Sequence, residues 1–179
     1  MSFFFALLVL QMGAGVLPVS LYKGTLFLLL GQERHNHLWC DFGGGAHKGE
    51  TPFKTAIREG VEELNGFLGD ETELEALVTS NLILSISYDK YTSYIFKTNY
   101  DKKLPLYFSN VNSFAELHLK DKIDNEDNGL FEKKQIQWFP LTKLKEDKSQ
   151  IKLREFYKPL LETILKNERF IISFLQTMD

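Results

Sequence analysis

The stretch from Gly43 to Gly66, GGGAHKGETPFKTAIREGVEELNG, decides how this chain is organised. Thr51 can cap the free amide groups at the start of a helix, and the proline after it tolerates the first helical turn. Asn65-Gly66 is a natural stop, because glycine adopts the left-handed conformation that ends many helices. The stretch, residues 43–66, therefore predicts a loop, a helix and a second loop.

Glutamates are concentrated on one side of the predicted helix. Glu59, Glu62 and Glu63 stand three and four residues apart, so their side chains emerge together beside an apolar stripe. Carboxylates this close repel one another, and a hard divalent cation is the simplest way to neutralise them. Arg58 can pair with Glu62 or reach back to Glu50, which would orient a carboxylate beside the cation. The pattern favours a metal site over a merely solvated charged face.

The spacing of these residues resembles a known family pattern. A glycine is followed after five residues by a glutamate, and after seven more by an Arg-Glu pair and then two adjacent glutamates. This arrangement resembles the Nudix box of the Nudix hydrolase family, here formed by Gly44, Glu50, Arg58, Glu59, Glu62 and Glu63. Every charged position of that pattern is filled at the right spacing.

Two positions depart from the family pattern. Gly60 stands where the family usually has a large aliphatic residue, and glycine inside a helix costs about 1 kcal/mol relative to alanine. The packing of the helix is therefore in question. Asn65-Gly66 stands where the family has glycine and then an aliphatic residue, so the glycine is shifted by one position and Phe67 takes the apolar role. Neither departure affects a predicted ligand.

The resemblance implies a hydrolase that uses Mg²⁺ or Mn²⁺ to cleave the diphosphate bond of a nucleoside diphosphate linked to another group. The implied metal ligands are four glutamates, namely Glu50, Glu59, Glu62 and Glu63. Arg58 is implied to orient a glutamate. The catalytic base that activates water is left open between Glu59, Glu63 and Glu132.

Glu132 enters through a second, weaker part of the resemblance. The run from Phe131 to Leu141 resembles a late Nudix strand that ends in aromatic and apolar residues and is often introduced by a glutamate. Glu132 is therefore predicted to be an additional acid near the metals or the water. Its alternative is an ordinary surface charge.

Four residues are candidates for substrate binding. Gly44 and Gly45 would let backbone amides and carbonyls approach the metal and a phosphate. Lys48 lies in the same loop, where positive charge would help to bind a polyphosphate, although a merely exposed loop is equally consistent. Trp39 precedes the loop and belongs either to the core or to a wall on which a base stacks.

The chain of 179 residues, with 44% hydrophobic and 25% charged residues, predicts one globular domain covering residues 1–179. Strands and helices in mixed order predict an α/β or α+β sandwich, and the resemblance implies a mixed sheet between helices. Turn signals at Lys23-Gly24 and Asp89-Lys90 predict two hairpins. From about residue 150 to 177, apolar residues at helical spacing predict one long or two shorter helices that cover the sheet, and Pro159 is a candidate position for a kink.

The segment between the second hairpin and the late strand is harder to assign. Pro105 argues against a central strand, so residues 106–108 are predicted to be a short strand or the entrance to a loop. A short helix is predicted from Ser113 to Leu119. The polar run from Asp121 to Gly129 is predicted to be an exposed loop.

The cysteine count and the length of the apolar stretches restrict the predicted cellular compartment. A single cysteine, Cys40, excludes an intrachain disulfide and predicts a reducing, cytoplasmic location, with the thiol buried and inert. No stretch approaches the ~20 apolar residues of a membrane span. The apolar run from Ser2 to Leu10 has no preceding basic residue, so it is predicted to be a buried first strand or a terminal segment that packs on the domain.

The net charge of −3 argues against non-specific wrapping of nucleic acid. The stretches around the glycines also resemble Nudix proteins of large DNA viruses, which makes capped RNA a partner to test beside nucleotide-type small molecules. Five lysines form a sparse basic strip that could serve RNA or simply solubility: Lys133, Lys134, Lys143, Lys145 and Lys148.

Two other functions remain as alternatives. One is a non-catalytic Nudix-like module that binds a nucleotide or RNA, although such modules usually lose box glutamates. The other is a diphosphoinositol polyphosphate hydrolase, which should carry more clustered basic residues near the box. The oligomeric state is not predicted, and a homodimer is one alternative.

Overall fold

The computed structural model describes residues 13–124, 129–146 and 150–177. Seven strands form one mixed sheet, and helices cover both of its faces. This is the α/β sandwich that the sequence predicts. The predicted first strand between Ser2 and Leu10 lies outside the described residues.

Strand β1 lies at the centre of the sheet. The strands are β1 (Gly13–Tyr22), β2 (Thr25–Glu33), β3 (Trp39–Cys40), β4 (Phe42–Gly45), β5 (Leu82–Tyr88), β6 (Tyr91–Lys97) and β7 (Lys133–Pro140). Their order is β3-β2-β1-β6-β5, while β4 also pairs with β1 and β7 also pairs with β2. The β1–β6 pair is parallel and the other pairs are antiparallel.

Both predicted hairpins are confirmed. Strands β1 and β2 are joined by Lys23 and Gly24, which both have positive φ angles, 50° and 75°. This is the backbone twist that a tight two-residue hairpin requires. Strands β5 and β6 are joined at Asp89, where φ is 51°.

The helices divide between the two faces of the sheet. They are α1 (Pro52–Glu63), α2 (Glu71–Asn81), α3 (Leu104–His118), α4 (Lys120–Ile123), α5 (Leu141–Glu146), α6 (Tyr157–Lys166) and α7 (Glu168–Thr177). Helices α1, α2 and α3 cover one hydrophobic core, and α5, α6 and α7 cover the other.

The two cores explain why β1 is apolar on both faces. Ala14 and Val16 point into the core under α1, while Leu17 and Val19 point into the core under α6. Side chains alternate across a strand, so a strand covered on both sides must be apolar at successive positions. All four of these side chains are fully buried.

Gly60 is required where α1 crosses the sheet. A Cβ atom at this position would lie 2.7 Å from Val16 Cγ2 and 3.0 Å from Leu74 Cδ2. The missing side chain therefore lets α1 approach both β1 and α2. The helix accepts the conformational cost of glycine because a larger residue would push it away from the sheet.

The predicted strand or loop at residues 106–108 is wrong. These residues belong to the single helix α3, which also includes most of the predicted short helix that was placed after Ser113. Pro105 lies in the first turn of α3, where proline is tolerated, so it marks a helix start rather than a break. The predicted exposed loop after Asp121 is partly helical, because α4 continues to Ile123.

The C-terminal cover consists of two helices that begin later than predicted. Leu153 is not helical and forms an isolated bridge with Trp39. Helix α6 begins at Tyr157, so Pro159 lies in its first turn rather than at a kink. The break falls at Asn167 instead, between α6 and α7. Within the part of the chain that the structure describes, no helix combines the length and the apolar character needed to cross a membrane.

Candidate functional site

Local sequence signals fix both ends of α1. The Thr51 side chain accepts a hydrogen bond from the Lys54 amide at the start of the helix, as the sequence predicts. At the other end, the Gly66 N–H donates to the Val61 carbonyl at 2.9 Å, with Gly66 at a φ of +70°. The helix therefore carries the whole acidic run and ends directly after it.

Strand β4 places three glycines beside the acidic face of α1. Gly44 pairs with Ala14 of β1, and a Cβ atom on Gly44 would lie 2.5 Å from Glu59 Oε2. The carboxylate of Glu59 thus packs directly against the backbone of Gly44, which has no side chain. A side chain at Gly44 would displace it.

Arg58 connects the glutamates around the start and the exposed side of α1. Its Nε donates to Glu50 Oε1 at 2.9 Å, and its Nη1 donates to Glu59 Oε1 at 2.9 Å and to Glu62 Oε2 at 3.0 Å. Its Nη2 donates to the Gly45 carbonyl at 2.9 Å. Burial lowers the pKa of Arg58, but its partner carboxylates outweigh this and raise it, so the guanidinium stays charged. Arg58 thus makes both contacts that the sequence left as alternatives.

Glu50 is held as a fixed anion. It accepts hydrogen bonds from Arg58, from Thr55 Oγ1 at 2.9 Å and from the His47 amide at 2.8 Å. The hydrogen bond from Arg58 is the main cause that lowers the pKa of Glu50 to about 2. Glu50 therefore orients Arg58 and the loop before α1.

Glu63 faces inward and is only 2% exposed. Its Oε2 accepts a 2.6 Å hydrogen bond from the Gly43 amide, and its Oε1 lies 3.0 Å from Lys133 Nζ. Burial raises the pKa of Glu63 to about 8, Lys133 opposes the rise, and the negative charges of Glu33 and Glu132 add to it. The pKa is raised although the Lys133 ammonium lies 3.0 Å away, so a further cation beside Glu63 would favour its ionised form.

Glu132 lies close to the acidic face although it is far away in sequence. It is half-buried just before β7. Burial raises its pKa, and the charges of Glu33 and Glu62 raise it further. In turn, Glu132 contributes to the raised pKa of Glu59 and of Glu63. The structure therefore brings Glu132 within electrostatic range of the box glutamates.

Two of the open cavities that border the site are lined by the glycine loop and by Glu132. One, of about 330 Å³, is named here the glycine-loop cleft, and it is lined by Gly13, Gly43, Gly44, Gly45, Tyr88, Asp89, Lys90, Tyr91, Arg154 and Phe156. The other, of about 340 Å³, is named the Glu132 cavity, and it is lined by Glu33, Arg34, His35, Ile123, Leu130, Phe131 and Glu132. The site is thus bordered by spaces large enough for a ligand.

The charges of the site suit a hard divalent cation. Six carboxylates lie at the site, namely Glu33, Glu50, Glu59, Glu62, Glu63 and Glu132. Within the described ranges, the arginine and lysine side chains seen to pair with them are Arg58, Lys133 and Arg154, and Glu50 also lies 3.6 Å from the His47 ring. Carboxylate oxygens are ligands that Mg²⁺ and Mn²⁺ prefer. Among the described residues no three acidic, histidine or cysteine side chains stand ready-made around one ion position. Several of the acids point instead at Arg58 and Lys133.

The family of the chain follows from its similarity to known protein families. A family model described as the NUDIX domain matches residues 9–160. The chain belongs to the Nudix family. No curated protein sequence matches the chain.

Solved structures share the Nudix fold at low sequence identity. A C. elegans Ap4A hydrolase in a binary complex is 18% identical, with 90% of this chain and 97% of that chain covered and a TM-score of 0.51. A Nudix hydrolase from M. smegmatis is 12% identical, with 90% and 87% covered and a TM-score of 0.53. A Francisella tularensis NMN adenylyltransferase/ADP ribose pyrophosphatase, complexed with AMP and a manganese ion, is 16% identical, with 88% and 41% covered and a TM-score of 0.56.

In this Nudix protein, two predicted substrate-binding residues lie apart from both cavities. Trp39 is 8% exposed and packs edge-on against Phe139 in the core under α6. Of the two roles considered for Trp39, the structure therefore favours the core. Lys48 is exposed in the loop before α1, and neither cavity includes it in its lining.

Sequence reasoning missed three residues of this Nudix site. Glu33 ends β2, Arg154 precedes α6, and Lys133 opens β7, yet Lys133 Nζ and Arg154 Nη1 both contact Glu33 Oε1. Lys133 had been predicted to belong to a basic surface strip, but it is fully buried. Nothing in the local sequence separates it from the exposed Lys134. The burial of Lys133 follows from the pairing of β2 with β7, which local sequence does not reveal.

Proposed function

We propose that this protein is a Mg²⁺- or Mn²⁺-dependent Nudix pyrophosphohydrolase that cleaves the diphosphate bond of a nucleoside diphosphate linked to another group. One observation carries the proposal. The box carboxylates are gathered around Arg58 and the backbone of the glycine loop, and they outnumber the arginine and lysine side chains that pair with them. Such an excess of negative charge favours binding of a divalent ion and a polyphosphate together.

The family resemblance assigns the roles at this site. Glu59, Glu62 and Glu63 would hold the ion, and Glu50 would support them through Arg58. When bound, a divalent ion neutralises phosphate oxygens and lowers the pKa of a water molecule. Arg58 fixes the carboxylates in place before substrate arrives, so little reorganisation is needed during the reaction.

The geometry favours Glu132 as the catalytic base. Glu59 is tied to Arg58, and Glu63 is tied to both Lys133 and the Gly43 amide. Glu132 instead borders an open cavity, and burial raises its pKa above the usual value of a glutamate, which makes the carboxylate a stronger proton acceptor. The base therefore would receive the water proton from the side of the Glu132 cavity.

The glycine-loop cleft is the proposed site for the nucleoside. Its wall contains the Tyr91 and Phe156 rings, whose centroids are 4.8 Å apart, and Arg154 lies 4.7 Å above Phe156. Tyr88 is half-exposed at its rim. Aromatic and guanidinium faces stack on bases, and the neighbouring glycines leave room for phosphates. The similar structures from C. elegans and Francisella tularensis are an Ap4A hydrolase and an ADP ribose pyrophosphatase. They make dinucleoside polyphosphates and ADP-ribose the first adenine-containing substrates to test.

A non-catalytic module that binds a nucleotide or capped RNA is the alternative function. The complete box weighs against it. The basic strip that would serve RNA is also weaker than its sequence suggested, because Lys133 is buried and Lys145 is paired with Glu168. Lys148 lies outside the described residues. The similarity to viral Nudix proteins and the cytoplasmic location stay predictions.

A substrate screen tests the proposal. The purified chain is incubated with Mg²⁺, Mn²⁺ or EDTA and with dinucleoside polyphosphates, ADP-ribose, nucleoside triphosphates, diphosphoinositol polyphosphates and capped RNA. The expected result is metal-dependent release of a nucleotide from at least one substrate, lost in Glu62→Gln and kept in Glu162→Gln, an exposed control on α6. Tight binding of a substrate without turnover under any metal condition would favour the binding module instead.

A further inference from the structure

Lys133 is a fully buried cation beneath the acidic face of α1. Its Nζ lies 2.6 Å from Glu33 Oε1, 3.0 Å from Glu63 Oε1 and 3.3 Å from Cys40 Sγ. Two carboxylates and a thiol thus surround the ammonium group. The ammonium group therefore balances negative charge that a bound cation would otherwise have to balance.

The surrounding chain makes room for this side chain. A Cβ atom on Gly31 of β2 would lie 2.9 Å from Lys133 Cδ and 2.9 Å from a ring carbon of Phe42. Only glycine at that position leaves a passage for the lysine stem. Burying a charge is costly unless it is paired and hydrogen-bonded, so the lysine stays in the interior because its partners are fixed there.

Glu33 anchors one side of the ammonium group. Its Oε1 also lies 3.0 Å from Arg154 Nη1 and accepts a 3.2 Å hydrogen bond from Cys40 Sγ. Burial raises the pKa of Glu33, but Lys133 and Arg154 outweigh this and lower it, so this carboxylate stays ionised. Glu33 and Arg154 therefore hold Lys133 in position from below.

Glu63 is the partner on the other side. Lys133 contacts its Oε1, while the Gly43 amide donates to its Oε2. Both edges of this carboxylate are therefore fixed in the metal-free protein. Each oxygen keeps one further lone pair that can accept from another ligand.

We propose that Lys133 is a positioning residue that serves as a built-in cation in place of a metal ion. It holds Glu63 against Gly43 and stays on Glu63 Oε1 when divalent ions bind. This inference rests on the proposed function, because it concerns the same acidic site. Its consequence is that the site needs fewer divalent ions to balance its charge than the number of its carboxylates suggests.

Metal titration of the protein alone tests the inference. Mn²⁺ binding is measured by calorimetry and by the loss of the free-ion electron paramagnetic resonance signal, without substrate, for the wild type, Lys133→Met, Lys133→Arg and Lys134→Met. Lys134 is the matched control because it is the exposed neighbour on the same strand. Removing the charge at position 133 leaves Glu33 and Glu63 facing a space that a divalent ion can enter.

The expected result is one additional Mn²⁺ bound by Lys133→Met, together with a larger rise in its melting temperature on addition of Mn²⁺. Lys133→Arg and Lys134→Met should bind the same number of ions as the wild type. If Lys133→Met is unfolded without metal, folding on addition of Mn²⁺ supports the inference equally. An unchanged number and affinity of ions in Lys133→Met, or failure to fold at saturating Mn²⁺, would overturn it.

A second measurement uses the wild-type chain. Amine-reactive labelling followed by mass spectrometry should leave Lys133 unmodified with and without Mg²⁺, while Lys134 is modified in both conditions. Labelling of Lys133 only when Mg²⁺ is present would mean that the ion displaces it from Glu63, against the inference. If the wild type binds no Mn²⁺ at all, it is the proposed function that fails, and the two failures are thereby distinguished.

Discussion

The Gly43 amide donates a 2.6 Å hydrogen bond to Glu63 Oε2, across twenty residues of sequence. This contact joins the glycine loop to the last acid of α1. Because Glu63 is buried and its other oxygen contacts Lys133, the loop and the helix share one electrostatic centre. A change in the charge of Glu63 must therefore affect both.

Glu63→Gln should remain folded and lose at least about 100-fold in turnover, the effect typical of an electrostatic or acid–base group. The amide keeps an acceptor for Gly43 but cannot neutralise a cation. Circular dichroism checks the fold, and rates at saturating Mg²⁺ check the activity. Full Mg²⁺-dependent turnover in this variant would contradict the role of Glu63.

Gly60→Ala should destabilise the protein by about 1–3 kcal/mol, the usual cost of overpacking a core. Alanine is the better helix former, but its methyl group would lie 2.7 Å from Val16 Cγ2. Chemical denaturation measures the change in the free energy of unfolding. Combining it with Val16→Ala should recover part of the loss, because the double variant removes the clash. Additive losses would show that Gly60 has another role.

Gly44→Ala should weaken Mn²⁺ binding at least about tenfold and leave the fold intact, as loss of a group that orients a metal ligand does. The new methyl group would lie 2.5 Å from Glu59 Oε2 and push this carboxylate out of place. Calorimetric titration measures the affinity. Wild-type affinity in Gly44→Ala would mean that Glu59 need not rest on the loop.

Asp41 should make stability depend on pH. Its carboxylate is fully buried and accepts hydrogen bonds from Tyr91 Oη at 2.8 Å and Ser93 Oγ at 2.6 Å. Burial raises its pKa from 3.8 to about 6. An acid whose pKa is higher in the folded state stabilises the fold below its unfolded pKa, and this contribution is lost as the pH rises through the folded pKa.

The Asp41 contribution should fall by about 3 kcal/mol at most between pH 4 and pH 7. Urea denaturation across this range, in EDTA, measures the free energy of unfolding. The asparagine in Asp41→Asn has no titratable group. The unfolding free energy of this variant should therefore fall less steeply with rising pH than that of the wild type. Parallel curves for the two proteins would show that Asp41 does not change protonation in this range.

Phe156→Ala should raise the KM for a nucleotide substrate about 5- to 150-fold, because stacking contributes about 1–3 kcal/mol per base. The value of kcat should change little, since Phe156 lies in the cleft wall and not among the acids. Phe170→Ala is the control, because Phe170 is exposed on α7. Equal KM values in the two variants would place the nucleoside elsewhere.

Two positions, Pro105 and Gly60, show why a short window of sequence did not predict the local structure correctly. Pro105 argued correctly against a central strand, but residues 106–108 were predicted to be a short strand or a loop entrance, whereas Pro105 lies in the first turn of α3, where proline is tolerated. Gly60 looked like a defect, although the close approach of Val16 requires it. In both cases the deciding contact or context lies outside a short window of sequence.

The sequence by itself determined the acidic helix and its ends, both hairpins and the family. These features depend on caps, turns and spacings within a few residues, so local chemistry is sufficient to specify them. Only the tertiary structure decided that Lys133, and not Lys134, lies beneath Glu63. The physical reason is that burial of a charge is set by partners such as Glu33, which is 100 residues away in sequence and becomes a neighbour only when β2 pairs with β7.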